Sequence, residues 1–539
     1  MTRRELLAAP AIAMAQAPRR PNVIVLISDD QGYGDLSIHG NPHLETPNLD
    51  SIARGGVQFT QFHSNPVCSP TRASLMTGRH YYRTGVTDTY IGRSMMRPDE
   101  VTMADVFRKS GYRTGIFGKW HLGDHYPLRP FDRGFDTAVT HFGGGIGQPS
   151  DPPGGERYYD PLLQRNGKPE RFRGYCTDIF FDEALRFIET NRTRPFFTYI
   201  ATNAPHTPLE IAEEFVEPFR NKNLDEVTSR IYGMVRNLDA NVGKLLAHLQ
   251  KLNLERDTIL VFLTDNGPQQ RRFNASMRGL KGSVYEGGIR VPCFVRWPAR
   301  ITPGTSDNRL AAHIDLLPTL ARAAGVALPD RPLDGRDILG NEKSDRTICF
   351  QWHRGDAPEK WRNACARNQR WKLVENKELF DLEKDPAEST DVAAQNPQIL
   401  EQLRRDYDAW FASVTEKGFD PVRIPIGTPH ENPVMLSQQD WRGPRAVWGP
   451  EALGHWEVDV AQAGRYSASF LVNPGPACQL TFRLNGVERT VPVPAGLAEV
   501  RLASVDLPKG QGRLEAVLHL SGGPGEKTRG VRFASLEKI

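Results

Sequence analysis

Asn22-Val23-Ile24-Val25-Leu26-Ile27-Ser28, followed at once by Asp29-Asp30, is the stretch from which the fold can be read. Five aliphatic residues in succession predict a strand buried on both faces, since a strand with one wet face would alternate apolar and polar side chains. Such a strand needs helices above and below it. Similar short runs at Arg113–Gly118, 195–202 and Thr258–Thr264 are separated by stretches with apolar residues at helical spacing, 177–191 and 225–252. In the second of these, Ile231, Val235, Leu238, Val242, Leu245, Leu246 and Leu249 form one stripe, the core-facing side of a helix. The pattern predicts an α/β fold built on a large mixed sheet flanked by helices.

Composition bounds the rest. At 539 residues the chain is too long for one ordinary domain, and 39% hydrophobic with 24% charged residues excludes wholesale disorder. The 48 glycines and 41 prolines predict many loops but follow no collagen-like period. Lysine and arginine number 68 against 64 acids, a net charge of +4, which excludes the concentrated basic excess of a nucleic-acid binder. No apolar run is long enough to span a membrane. Six cysteines (Cys68, Cys176, Cys293, Cys349, Cys365 and Cys478) lie far apart without a C-x-x-C pair. That spacing excludes a small disulfide scaffold and a zinc-finger layout, and leaves room for an isolated bridge.

Along the chain, Arg3-Arg4 precede an apolar stretch from Leu6 to Ala15, and Ala15-Gln16-Ala17 offers a small-x-small cleavage pattern. Residues 1–17 are therefore expected to be a signal peptide, of twin-arginine or Sec type, on a periplasmic or extracellular protein. The sheet domain is expected over 21–330. A smaller α+β subdomain follows over 331–420, with a strand at 378–382, a turn at Asp385-Pro386 and a helix at 397–414. Six prolines between 421 and 450 predict an extended linker. Beyond it, alternating segments at His455–Val460, 465–472, 479–484, 488–491, 498–502 and 513–520, with Asn485-Gly486 as a hairpin turn, predict an all-β sandwich over 451–539.

In an open α/β sheet, ligands bind beyond the carboxyl ends of the strands. Asp29 and Asp30 follow the first strand, Lys119 and His121 the second, Asn203 and His206 the third, Asp265 and Asn266 the fourth. Four strands delivering such groups to one edge make a site. Asp29, Asp30, Asp265 and Asn266 are hard oxygen ligands that suit calcium or magnesium over zinc. Adjacent carboxylates also repel unless a cation lies between them. His121 and His206 are suited to proton exchange near neutrality. Around Cys68, Ser69 suits an N-cap and Pro70 a first helical position, so Cys68 is expected at a helix N-terminus that favours an anion, with Arg72 as a fixed cation. A buried inert cysteine and a nucleophile facing an anionic ester both satisfy that spacing.

Pro66-Val67-Cys68-Ser69-Pro70-Thr71-Arg72-Ala73-Ser74-Leu75-Met76-Thr77-Gly78 resembles the type I sulfatase signature, whose core is C-x-P-x-R, and residues 111–121 resemble the second sulfatase signature. The likeness continues through 26–36, Ala204-Pro205-His206, Thr264-Asp265-Asn266-Gly267, Gly279-Leu280-Lys281-Gly282 and 286–292, in order. It does not extend to 421–539. The resemblance implies the alkaline phosphatase superfamily fold and a sulfuric ester hydrolase. It implies oxidation of Cys68 to formylglycine by a formylglycine-generating enzyme, the hydrated aldehyde being the nucleophile. One calcium ion would be held by Asp29, Asp30, residue 68, Asp265 and Asn266. Arg72 and Lys119 would hold diol and sulfate oxygens, and Lys281 sulfate on the leaving-group side. His206 would protonate the departing alcohol, Asp265 accept the proton of the attacking hydroxyl, and His121 deprotonate the second hydroxyl to expel sulfate.

The substrate class so implied is a sulfate monoester, with aryl sulfates accepted in vitro and sulfated carbohydrate as the natural target. Two other readings compete. One is a phosphomonoester or phosphonate hydrolase of the same superfamily. The other is a noncatalytic binder of sulfated glycans that stacks sugars on Trp441, Trp448, Trp456 and Tyr466. His141 is a further candidate substrate contact, with a purely structural role as its alternative.

Overall fold

The computed structural model describes residues 20–340, 345–520 and 527–539, so the expected signal segment lies outside the described residues. Asn22–Ser28 runs through the middle of a ten-stranded sheet, parallel to Thr258–Thr264 on one side and to Phe196–Ala201 on the other. Arg113–Gly118 and Thr137–Thr140 extend the parallel set. Antiparallel pairings appear on both flanks, through Cys293–Arg296 with Val57–Phe59 and through Leu162–Arg165 with Lys168–Arg171. The sheet is therefore mixed, as expected.

The aliphatic run of the central strand has a simple cause. Val23, Val25 and Ile27 enter one core, which also contains Ala73 and Met76 of Cys68–Thr77, Phe107 of Met103–Lys109 and Leu317 of Leu316–Ala323. Ile24 and Leu26 enter the opposite core, with Leu49 of Pro47–Arg54, Phe180 of Cys176–Thr190 and Leu238 of Glu226–Lys251. With helices on both faces, neither set of side chains meets water.

A four-stranded antiparallel sheet, Ile348–Gln351, Ala364–Arg367, Trp371–Val374 and Glu378–Asp381, packs under the helix Pro397–Thr415. It is tied to the main body by a buried charge network. Glu286 accepts from Lys372 at 3.1 Å and from Arg367 at 3.2 Å, and Lys372 reaches Glu388 at 2.7 Å.

The C-terminal region is two packed sheets, antiparallel except for one parallel edge pairing, around a shared core containing Trp441, Trp456, Tyr466, Phe470 and Phe482. Asn485 and Gly486, both at positive φ (49° and 81°), make the expected hairpin between Cys478–Leu484 and Val487–Val493. The expected linker is not one. Ile424–Ile426 pairs with His455–Val460, and Val434–Ser437 pairs with Phe533–Lys538. Both are edge strands, where the missing N–H of Pro425 costs no ladder bond and Pro433 can stand before a strand. A proline-rich stretch here signals sheet edges rather than a tether. The six cysteines are all unpaired.

The β-module docks on the main body through an apolar seam in which Ile91, Met95 and Leu128 join its core. Beside this seam, His125 contacts Asp440 at 3.2 Å and Glu431 at 3.4 Å. Burial alone would lower His125, but hydrogen bonds to these acids outweigh it and raise the imidazole to about 10. Burial and the charge of Asp440 push neighbouring Asp124 up to about 7. Both groups hold their protons more tightly folded than unfolded, so their stabilisation is lost as pH rises. His125 contributes fully below its ordinary 6.5 and loses that contribution as pH passes about 10.

Two outcomes are expected. Denaturant unfolding should show stability falling between pH 6 and pH 10, with a flatter slope in His125→Gln; equal slopes would remove His125 from the seam's energetics. Glu286→Ala should cost about 3–5 kcal/mol in urea unfolding, because it leaves Arg367 and Lys372 buried without their shared acid.

Candidate active site

Because the four central strands are parallel neighbours, their carboxyl ends lie side by side, and the polar residues that follow them meet. Asp29 Oδ2 accepts from Lys119 Nζ at 2.7 Å. Asp30 Oδ1 pairs with Lys281 Nζ at 2.6 Å and accepts from Asn266 Nδ2 at 2.8 Å. Asp265 Oδ2 accepts from Arg72 NH2 at 2.7 Å and Nε at 3.2 Å, while the Asp30 amide donates to Asp265 Oδ1 at 3.2 Å. His206 Nε2 lies 3.7 Å from Asp30 Oδ2. Cys68, His121, His206 and Lys281 line a cavity of 590 Å³, a size usual for small-molecule sites.

The helix that presents residue 68 spans Cys68–Thr77, with Val67 as the N-cap. Cys68 is thus the first helical residue, and Ser69 does not cap: its hydroxyl donates to the His121 carbonyl at 2.9 Å, fastening the helix start to the Lys119–His121 loop. Asp30 and His121 both adopt positive φ, 61° and 63°. Non-glycine residues are held in that region only where surrounding contacts over-determine them, and such sites cluster at functional centres.

Three carboxylates face three cations, so the site is balanced without counting any ion. Even so, Asp29 Oδ1, Asp30 Oδ2 and Asn266 Oδ1 are buried without a hydrogen-bond partner. Each such oxygen costs about 1–3 kcal/mol unless something positive meets it. Burial and the nearby Asp29 charge push Asp265 up to about 6, a repulsion that a divalent cation would relieve. Orphaned oxygens from two aspartates and an amide, beside Asp265, fit a hard cation such as calcium. His206 also stands within ligand reach of Asp29 and Asp30.

Burial pushes the Cys68 thiol up, against the pull of Lys119 and Lys281. An ordinary thiolate nucleophile is therefore disfavoured. Burial, with Lys119, holds His121 well below its usual range, so it is a neutral imidazole. Its Nε2 lies 2.6 Å from the Thr89 carbonyl, which can only accept, so Nε2 carries the hydrogen and Nδ1 is left as a free acceptor. His206 is lowered to about 4 by burial and Lys281, despite Asp30, and its Nδ1 donates to the Thr207 carbonyl at 2.6 Å.

Arg72 and Lys119 are fully buried behind Asp265 and Asp29 and do not line the cavity; Lys281 does. His141 does not reach it either. Its Nδ1 donates to the Phe142 carbonyl and its Nε2 accepts from Asn203, so both nitrogens are spent on structure. The cavity wall also holds residues that no motif singled out, among them Tyr90, Gln148, Trp352 and Arg354.

A sulfatase family model matches residues 21–326, and the N-sulphoglucosamine sulphohydrolase C-terminal model matches 280–409. The chain belongs to the sulfatase family. The dog (Canis lupus familiaris) N-acetylgalactosamine-6-sulfatase is 35% identical over 65% of this chain and 72% of its own length. Human arylsulfatase A is 34% identical over 75% of this chain and 85% of its own. The crystal structure of Ps i-CgsB in complex with k-i-k-neocarrahexaose superposes with a TM-score of 0.68 at 30% identity, covering 75% of this chain and 95% of that one. The sulfatase is thus a sulfuric ester hydrolase with the alkaline phosphatase-like fold. No helix among the described residues is long and apolar enough to cross a membrane.

The orphaned oxygens carry a direct expectation. A chelator should lower both the thermal midpoint and sulfate ester turnover of this sulfatase, and calcium should restore both. Unchanged midpoint and rate after exhaustive chelation would show that these oxygens hold no ion.

Proposed function

We propose that this sulfatase hydrolyses sulfate monoesters through a hydrated formylglycine formed from Cys68 by a formylglycine-generating enzyme, with one calcium ion. The observation that carries the reading is the set of unpartnered buried oxygens, Asp29 Oδ1, Asp30 Oδ2 and Asn266 Oδ1, beside a cysteine whose thiol is held protonated. When bound, calcium, held by Asp29, Asp30, Asp265, Asn266 and residue 68, supplies positive charge to sulfate oxygens.

The chain's own groups divide the remaining work. Lys281 meets the anion on the leaving-group side from the cavity wall. Arg72 and Lys119 contribute fixed positive charge from behind residue 68, where the diol and sulfate oxygens gather, and keep Asp265 and Asp29 in place. Asp265 accepts the proton of the attacking hydroxyl. His206 Nε2 gives a proton to the departing alcohol; burial and then lysine charge depress it, and the incoming anion favours its protonated form by opposing the lysine charge. A general acid of this kind contributes about 10²–10⁴-fold. His121 Nδ1 accepts the proton of the second hydroxyl on residue 68, which expels sulfate without water attacking sulfur.

We further propose sulfated carbohydrate as the natural substrate and export to the periplasm or beyond. The substrate is supported by the name of N-acetylgalactosamine-6-sulfatase and by the neocarrahexaose bound to Ps i-CgsB. Aryl sulfates should serve as assay substrates.

The test has two arms. Mass spectrometry of the tryptic peptide bearing residue 68 in active protein should show the aldehyde rather than the thiol, and an unmodified cysteine would end the mechanism. In the second arm, 4-nitrophenyl sulfate should be turned over at least tenfold faster than 4-nitrophenyl phosphate; the reverse order would make the enzyme a phosphoesterase. His121→Ala should slow steady-state turnover by about 10²–10⁴-fold.

A further inference from the structure

The sulfatase family models end at residue 409, yet the cavity does not. Val447 and Trp448, from the β-module, line the same 590 Å³ space as Cys68, His121 and Lys281. They are 49% and 38% exposed, large apolar side chains held open at the mouth of a site rather than packed into the module's core. Trp441, Trp456 and Tyr466, by contrast, are completely buried. The module's exposed tryptophan therefore faces the chemistry.

The mouth is built as a unit. Trp448 meets Tyr90 edge to face, ring centroids 5.2 Å apart. The Arg354 guanidinium lies 4.4 Å from the Tyr90 ring centroid and 5.4 Å from that of Trp352. Trp352 Nε1 donates to Asp88 at 3.1 Å, which fixes the indole. Gly92 N donates to the Gln439 carbonyl at 2.8 Å, and Gln439 Nε2 donates to the Thr89 carbonyl at 3.0 Å, the same oxygen that orients His121. The module thus holds the 88–93 loop from which both the mouth and the histidine are positioned.

The charge of the mouth is not balanced. Asp88 is shared by Arg354 at 3.3 Å and Arg93 at 3.8 Å; Asp356 is shared by Arg93 and Arg442, each at 2.8 Å. Three arginines face two acids, and Glu457, the next acid, is already paired with Arg423 and Arg513. Arg354 lines the cavity with its side chain 55% exposed, and its hydrogen bonds to Asp88 use NH1. An aromatic face beside an exposed guanidinium suits a flat, partly apolar ring that carries an anion.

We infer that the β-module completes the substrate pocket. Trp448 and Val447 pack against the sugar residue next to the sulfated one, and Arg354 pairs with a second anionic substituent, a carboxylate or a sulfate, on that neighbour. The inference rests on the sulfated-carbohydrate reading above. It makes this enzyme selective for polyanionic saccharides over small sulfate esters.

The test compares kcat/KM for sulfated monosaccharides with that for matching disaccharides whose neighbouring residue is neutral, carries a uronate carboxylate, or carries a second sulfate. Full-length matured enzyme is used as wild type, Trp448→Ala, Trp448→Phe, Arg354→Ala and, as a control at an exposed module residue that does not line the cavity, Leu497→Ala. Wild type should prefer an anionic disaccharide to the monosaccharide by at least tenfold. Trp448→Ala and Arg354→Ala should lose that preference, chiefly through KM, as expected for contacts made equally in ground and transition states. Trp448→Phe should keep most of it and Leu497→Ala all of it. The carboxylate and sulfate arms identify which anion Arg354 takes. Equal preference for neutral and anionic neighbours, or an unchanged preference in both alanine variants, would overturn the inference.

Calorimetry with full-length Cys68→Ala separates the two readings. If wild type hydrolyses no sulfate ester, but Cys68→Ala binds the anionic disaccharide and the added Trp448→Ala weakens it tenfold, the catalytic reading falls and the subsite stands. If 4-nitrophenyl sulfate is hydrolysed but no disaccharide is bound, the subsite falls and the hydrolase stands.

Discussion

Two adjacent carboxylates at the end of a completely buried strand are the constraint around which this molecule is arranged. Carboxylates side by side and out of water repel one another unless positive charge comes to them. Lys119 arrives on Arg113–Gly118's carboxyl end, Lys281 from a loop, and Arg72 from the helix that carries residue 68, reaching Asp265 on the neighbouring strand. Oxygens left over after these pairings make a place for a hard cation. Of the three cations that make the acids tolerable, Lys281 also lines the cavity, so the electrostatics of packing and the proposed chemistry share a residue.

That economy depends on rigidity. Helices on both faces of the central strand leave no freedom for its end to move, and Ser69 and Arg72 fasten the Cys68 helix to the Lys119–His121 loop. The Thr89 carbonyl then sets which nitrogen of His121 is free. Because Gln439 holds the same carbonyl, the orientation of a histidine in the main body depends on a module that begins some three hundred residues later. The apolar seam of Ile91, Met95 and Leu128 makes that dependence stable.

Much of this is legible in the sequence. Arg113–Gly118, Thr258–Thr264 and His455–Val460 fall at their expected positions, because short aliphatic or alternating runs bounded by polar residues have few other uses. Asp29, Asp30, Lys119, His121, His206, Asp265 and Asn266 follow from one rule about sheet edges, whereas Lys281 comes from a loop that the rule does not reach and is named only through the family motif. The 421–450 stretch misled, because proline density reports on missing N–H groups, and a sheet edge tolerates those as readily as a tether does. His141 looked like a substrate contact from its neighbourhood, while Phe142 and Asn203 consume both its nitrogens. Arg354 and Trp352 carry no local signal at all.

The sequence by itself determined the large mixed sheet flanked by helices, the acids and bases at its edge and the sulfatase motif around Cys68, because each is written in residues close together in the chain. Only the tertiary structure decided which oxygens stay unpartnered, which histidine nitrogen is free, and that a tryptophan from the last module faces the cavity. Those depend on pairings between distant segments, Thr89 with Gln439 or Tyr90 with Trp448, whose geometry is set by packing and leaves no trace in local pattern.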